Sequence, residues 1–152
     1  MNKKVLSIVG FLLTVVVVLL LLPKAGNNNS HWNTEGLPCI VPNVDLIRHW
    51  HPHLEILVDN QKEEIPVGIG LGGSCESPLH THQTDGVIHL EAQVLRDFTL
   101  GDFMKVYGKP VQRDGYDLEM TVDDQPNQEL GNLMLKDGQQ IILKYTSKAI
   151  RP

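Results

Sequence analysis

Six of the chain's seven histidines fall between His49 and His89, in two segments. The first is His49-Trp50-His51-Pro52-His53. The second is Leu79-His80-Thr81-His82-Gln83-Thr84-Asp85-Gly86-Val87-Ile88-His89. Imidazole is the commonest side-chain metal ligand, and a strand repeats every two residues, so each His-x-His step sets neighbouring rings on one side of a sheet. If Gln83-Thr84-Asp85-Gly86 closes a four-residue hairpin loop, His82 faces Val87, His80 faces His89, and all three imidazoles point the same way. Opposed β-carbons in such a ladder lie about 4.5–5.5 Å apart, close enough for two rings to share an ion at roughly 2.0–2.1 Å.

The chemistry this predicts is transition-metal binding. The expected ligands are His80, His82 and His89, completed by His51 or His53 if the two segments lie side by side, with His49 on the same face. Asp85 is a fourth ligand or a second-layer acceptor that orients an imidazole, against the plainer reading of Asp85-Gly86 as ordinary turn chemistry. Glu91 and Glu55 share the histidine face and are candidates for the same orienting role. Imidazoles suit copper, zinc, nickel and iron, and no clustered carboxylate set points to calcium or magnesium. Copper ranks slightly above zinc by intrinsic affinity. The competing reading is a solvated face of histidines that binds nothing in particular. It holds for any single histidine and weakens when six share predicted positions.

The elements that must position these residues can be read in outline. Trp50, Leu54, Ile56 and Val58 alternate with His49, His51, His53 and Glu55, which predicts one half-buried strand from His49 to Asp59, with Pro52 at an edge or bulge. Asp59-Asn60 is a turn, and Glu63 to Val67 a return strand. Gly68-Ile69-Gly70-Leu71-Gly72-Gly73 matches the glycine spacing of a dinucleotide fingerprint, but Ser74-Cys75-Glu76-Ser77-Pro78 starts no helix, so the segment reads as a flexible loop. Ser74 makes no nucleophile elbow. Thr99-Leu100-Gly101-Asp102 resembles a capping box. Leu100, Phe103, Met104 and Tyr107 then recur at helical spacing until Gly108 and Pro110. Strands follow at Leu118 to Val122 and Gln140 to Tyr145, with turns at Asp123-Asp124-Gln125-Pro126 and Asp137-Gly138 and a short segment at Leu133 to Leu135. The expected class is α+β, a mixed sheet with one packed helix.

With 152 residues and a formal charge of −5, the chain suits one modest core. It shows no basic stripe, which argues against a nucleic-acid partner. Residues 1–4 form a stub bearing Lys3 and Lys4. Residues 5–22 carry no charge and as a helix would span roughly 27 Å, about the hydrocarbon thickness of a bilayer. The segment after Leu22 lacks a small-x-small cleavage site, so an uncleaved anchor is favoured over a signal peptide. The lysines keep the amino terminus cytoplasmic. Residues 23–38 then read as a tether, with His31 incidental, and residues 39–152 as an extracytoplasmic domain held by a single-pass anchor. Cys39 and Cys75 suit that oxidising side as a disulfide, with thiolate ligation as the rival role.

Leu133-Met134-Leu135-Lys136-Asp137-Gly138-Gln139-Gln140-Ile141-Ile142-Leu143 resembles the closing section of β-grasp (ubiquitin-like) domains, and this likeness extends over the half of the chain from Ile88 onward. It implies a β-grasp-like sheet. His51-x-His53-Leu54, Leu79-His80-Thr81-His82, Gly86-Val87-Ile88-His89-Leu90-Glu91 and Phe98-Thr99-Leu100-Gly101-Asp102-Phe103 together resemble a family of membrane-anchored or secreted His-rich proteins of bacteria and archaea. The resemblance covers about the last two thirds of the chain and implies no activity. Three function classes follow. The first is a copper- or zinc-binding protein that buffers metal or delivers it to an exchange partner. The second is a hydrolase using three histidines and an open metal position, with Glu91 or Asp85 as base. The third is a β-grasp interaction module with a pH-responsive histidine patch. No helical His-Glu-x-x-His motif is present, so binding ranks ahead of catalysis.

Overall fold

A computed structural model describes residue 33, residues 35–72 and residues 75–149. Among these residues two sheets and one α-helix make the fold. The strands are β1 (Arg48–Trp50), β2 (His53–Val58), β3 (Gln61–Glu63), β4 (Leu79–His80), β5 (His89–Ala92), β6 (Tyr116–Val122), β7 (Gln125–Asn127) and β8 (Gln140–Ser147). The helix α1 spans Leu100–Tyr107. β1, β5 and β4 form a three-stranded antiparallel sheet in that order. The larger sheet runs β3-β2-β8-β6-β7, with β2 and β8 parallel at its centre and the other pairs antiparallel. The class is α+β, as the alternation and the single helical stretch predicted.

The central pair carries the core. Leu54 and Ile56 on β2 sit opposite Ile141 and Leu143 on β8, and all four are buried. Phe103, Met104 and Leu100 from α1 close over them. An eight-residue helix is too short to persist alone, so its ends and its packing must hold it. Thr99 and Asp102 form a reciprocal capping box, and Gly108 ends the helix in the left-handed conformation at φ 74°. Arg96 adds an ion pair to Asp102 at 3.0 Å. At the β3 edge of the sheet Glu63 takes both Arg113 nitrogens at 2.7 and 2.9 Å and Lys109 Nζ at 2.9 Å. Arg113 stacks on the Tyr145 ring at 4.2 Å, so this network fastens the segment after α1 to the sheet.

Several boundaries differ from expectation for identifiable reasons. The single strand expected from His49 to Asp59 is two strands in two sheets, because Pro52 breaks the ladder and is itself buried. Its carbonyl accepts the Ile88 N–H at 2.9 Å, so the break joins the sheets. The return strand is Gln61–Glu63 rather than Glu63 to Val67. Asp59 and Asn60 both adopt positive φ (48° and 64°), a two-residue turn that pairs Val58 with Gln61 at once. Asp123 and Asp124 do the same at 50° and 63°, which leaves Gln125 and Pro126 in an edge strand instead of the turn. The glycine loop is fastened rather than free. Gly68 N–H donates to the Thr81 carbonyl and Thr81 N–H to the Ile69 carbonyl. The Thr81 hydroxyl donates to the Pro66 carbonyl at 2.7 Å. Leu37, expected in the tether, is buried in the core.

Cys39 and Cys75 are disulfide-bonded, with Cα atoms 5.5 Å apart, which disposes of the thiolate reading. The bridge contributes on the order of 3–4 kcal/mol by constraining the unfolded chain. Among the described residues no helix is long and apolar enough to cross a membrane. The stub, the anchor expected over residues 5–22, most of the tether and His31 lie outside the described residues.

The Glu63 network makes stability depend on acid. The Arg113 hydrogen bonds, and then those of Lys109, hold the Glu63 carboxyl at about 2, well below its ordinary 4.5. A carboxyl with a depressed folded pKa stabilises the fold above about 4.5, and that contribution fades as the pH falls towards about 2. Glu63→Gln is expected to cost about 1–3 kcal/mol at pH 7 and progressively less in acid. Urea unfolding at both pH values reads this. A penalty that is equal at pH 7 and pH 2.5 contradicts it.

Candidate metal centre

The three-stranded sheet builds the site by alternation. On β5, Leu90 and Ala92 turn into the core, so His89 and Glu91 stand on the opposite face. The register places His49 of β1 opposite Glu91, and His80 of β4 opposite His89. Opposed residues in an antiparallel ladder share a face. Four of the candidate residues therefore come together from three strands.

His82 arrives by another route. It was expected opposite Val87 in a continuing hairpin, but the ladder ends at His80 and His89, and Val87 bridges His53 instead. The cause is Thr81, whose backbone and hydroxyl are taken up by the 66–69 segment. The chain leaves the ladder there and folds the exposed His82 back over the site. Its ring lies 4.8 Å from that of His80 and 4.5 Å from that of His89, edge-on to both.

His80 is fully buried. Its Nδ1 is 2.9 Å from the Ser77 carbonyl oxygen. A carbonyl only accepts, so Nδ1 carries the proton and the neutral ring presents a bare lone pair at Nε2. That Nε2 lies 3.1 Å from His82 Nε2. Two ligands at 2.0–2.1 Å from one ion, subtending roughly 100°, stand at this separation, and a ring nitrogen tied to a backbone carbonyl is the usual outer support of a metal-binding histidine. The same distance suits a hydrogen bond between the rings. What favours an ion is the company: ligand atoms of His80, His82, His89 and Glu91 all lie within 4.8 Å of one another. A second group, His49, His51 and His89, meets the same limit.

The remaining candidates are placed elsewhere. His53 begins β2 in the larger sheet, and its Nε2 is 2.8 Å from the Asp85 carbonyl, so it belongs to neither group. Asp85 Oδ1 accepts the Val87 N–H at 2.9 Å, which is turn chemistry. Gly86 follows at φ 90°, with no room for a Cβ against the Leu54 carbonyl. Glu55 pairs with Lys62 at 3.5 Å and belongs to neither group. His51 stays near the site, its backbone N–H donating to Asp137 Oδ1 at 2.8 Å and its ring 4.8 Å from that of His89. Glu91, read from sequence as an orienting residue, stands at ligand distance. The signal for this was its i+2 spacing from His89.

Burial is the main reason the His80 imidazole is held below its ordinary 6.5, against the opposing pull of the Ser77 carbonyl and the Glu91 charge. His89 is lowered first by burial and then by the imidazoles of His82, His80 and His51. Both shifts favour the neutral, ligating form. A histidine whose folded pKa lies below its unfolded value stabilises the fold above about pH 6.5 and loses that contribution as the pH falls through the folded pKa. Unfolding free energy measured with chelator present is thus expected to drop between pH 7.5 and pH 5. The drop should be smaller in His80→Asn, whose amide replaces the Nδ1–H donor without titrating. Stability that rises on acidification contradicts the assignment.

Comparison of the chain with protein-family models, with curated proteins and with solved structures yields no match.

Proposed function

We propose that this domain binds a transition-metal ion, copper or zinc, outside the cell membrane, and buffers it or passes it to a partner. The observation that carries the reading is the 3.1 Å approach of His80 Nε2 and His82 Nε2, with His89 and Glu91 at ligand distance. Three imidazoles and one carboxylate, without thiolate or thioether, form a donor set for a divalent ion such as Cu(II) or Zn(II) rather than for Cu(I). The exposed position of His82 supports exchange: one ligand can swing off while the buried His80 keeps hold.

Residues 5–22 and the lysines before them support an anchor, and the Cys39–Cys75 disulfide accords with an oxidising compartment. The mixed sheet with its parallel central pair and one helix supports the β-grasp reading. Hydrolysis is less favoured. Glu91 stands among the ligands, and Asp85 is committed to its turn, which leaves neither carboxylate as a free base. The array of rings serves an ion more directly than it serves a pH-responsive docking patch.

Metal analysis of the purified full chain tests this. Wild type is expected to retain copper or zinc stoichiometrically after desalting. His82→Ala and His89→Ala should each weaken binding at least about tenfold. His82 is exposed, so its loss leaves the core intact, and circular dichroism verifies the fold. Binding in the variants as tight as in wild type would exclude this site.

A further inference from the structure

The histidine face holds more donors than one ion can use. His49, His51, His89, His80 and His82 form a continuous run of rings, with centroid spacings of 4.7 Å (His49–His51), 4.8 Å (His51–His89), 5.6 Å (His89–His80) and 4.5 Å (His89–His82). With Glu91 this makes five imidazoles and a carboxylate, whereas a copper or zinc shell built from such ligands closes at four or five. The donors also do not converge on one point. They fall into two groups, His80/His82/His89/Glu91 and His49/His51/His89.

We propose that this face is a two-metal site. One ion is held by His80 and His82, a second by His49 and His51, and His89 and Glu91 stand between them. The proposal rests on the metal-binding reading of the same face. The register makes the sharing possible. His49 is the cross-strand partner of Glu91, and its Nε2 lies 3.3 Å from Glu91 Oε1, while Glu91 is also within ligand distance of His80 and His82. A carboxylate has two oxygens and can give one to each ion, the arrangement by which paired metal sites hold their ions about 3.5–4 Å apart. The His89 ring is edge-on to both His51 and His82, with interplanar angles of 89° and 78°, and its ligand atoms fall within reach of both groups.

The two halves differ in the way that sequential loading requires. His80 is buried and pre-oriented by Ser77, whereas the side chains of His49 and His51 are 54% and 42% exposed. The inner half binds first and more tightly, and the outer half second and weakly enough to exchange. The ligand class is a pair of divalent first-row ions. The outer ion is the one a delivery partner would meet.

Titration of the purified full chain with Cu(II), followed by equilibrium dialysis and electron paramagnetic resonance, tests this. Wild type is expected to take two equivalents, and the signal per copper should fall on addition of the second as neighbouring spins couple. The His49→Ala/His51→Ala variant, altered only at exposed positions, should bind one equivalent with the tight step unchanged and an uncoupled signal. One equivalent in wild type, unaffected by that variant, overturns the second ion and leaves the single-site reading standing. Two equivalents in the variant also overturn it. No stoichiometric binding in wild type removes both readings together.

Discussion

The hydrogen bond from His80 Nδ1–H to the Ser77 carbonyl is the constraint on which the site depends. A fully buried imidazole must satisfy both nitrogens or destabilise the fold. Ser77 satisfies one, which fixes the tautomer and turns the other towards His82. Without that bond the ring would be free to flip, and Nε2 would not hold its place beside His89 and Glu91 of β5.

Much of the surrounding structure serves to keep Ser77 and His80 in place. The Cys39–Cys75 disulfide ties the chain just before Ser77 to the domain's amino-terminal segment, where Ile40 N–H also donates to the Glu76 carbonyl. Gly70 lies against β4 at φ 74°, with a Cβ there blocked by the Leu79 carbonyl, and its own carbonyl accepts the Ser77 N–H. Thr81 is gripped by the 66–69 segment, which swings His82 out of the ladder and back over the rings. The glycine-rich stretch is therefore a brace for the histidines rather than a binding loop. At the other end Pro52 hands the chain from the small sheet to the large one, so the histidine face is built on the same core that α1 closes.

Local rules made much of this readable in advance. The capping box at Thr99, the Asp59-Asn60 and Asp137-Gly138 turns, the apolar closing strand and the facing of His80 and His89 all follow from patterns within a few residues. Two features did not. Pro52 was legible as a ladder breaker, but alternation through His49, His51 and His53 concealed that the strand changes sheets there, which separates His53 from its neighbours. His82 looked like a ladder residue because the competing partners of Thr81 lie far back in the sequence, at Pro66, Gly68 and Ile69. The proline overrode the local period in the first place and long-range hydrogen bonds in the second. Glu91 was legible on the histidine face from its i+2 spacing to His89, while its pairing with His49 comes from a cross-strand register that no single segment displays, since β1 is only three residues long.

In the proposed site, imidazoles together with the Glu91 carboxylate surround the ion. X-ray absorption at the metal edge of the copper- or zinc-loaded full chain tests it most directly. The geometry predicts a first shell of nitrogen and oxygen at about 2.0–2.1 Å, with the outer-shell scattering of several histidine rings and one fewer oxygen in Glu91→Ala. A shell of water oxygens without ring scattering, or one containing sulfur, would contradict it.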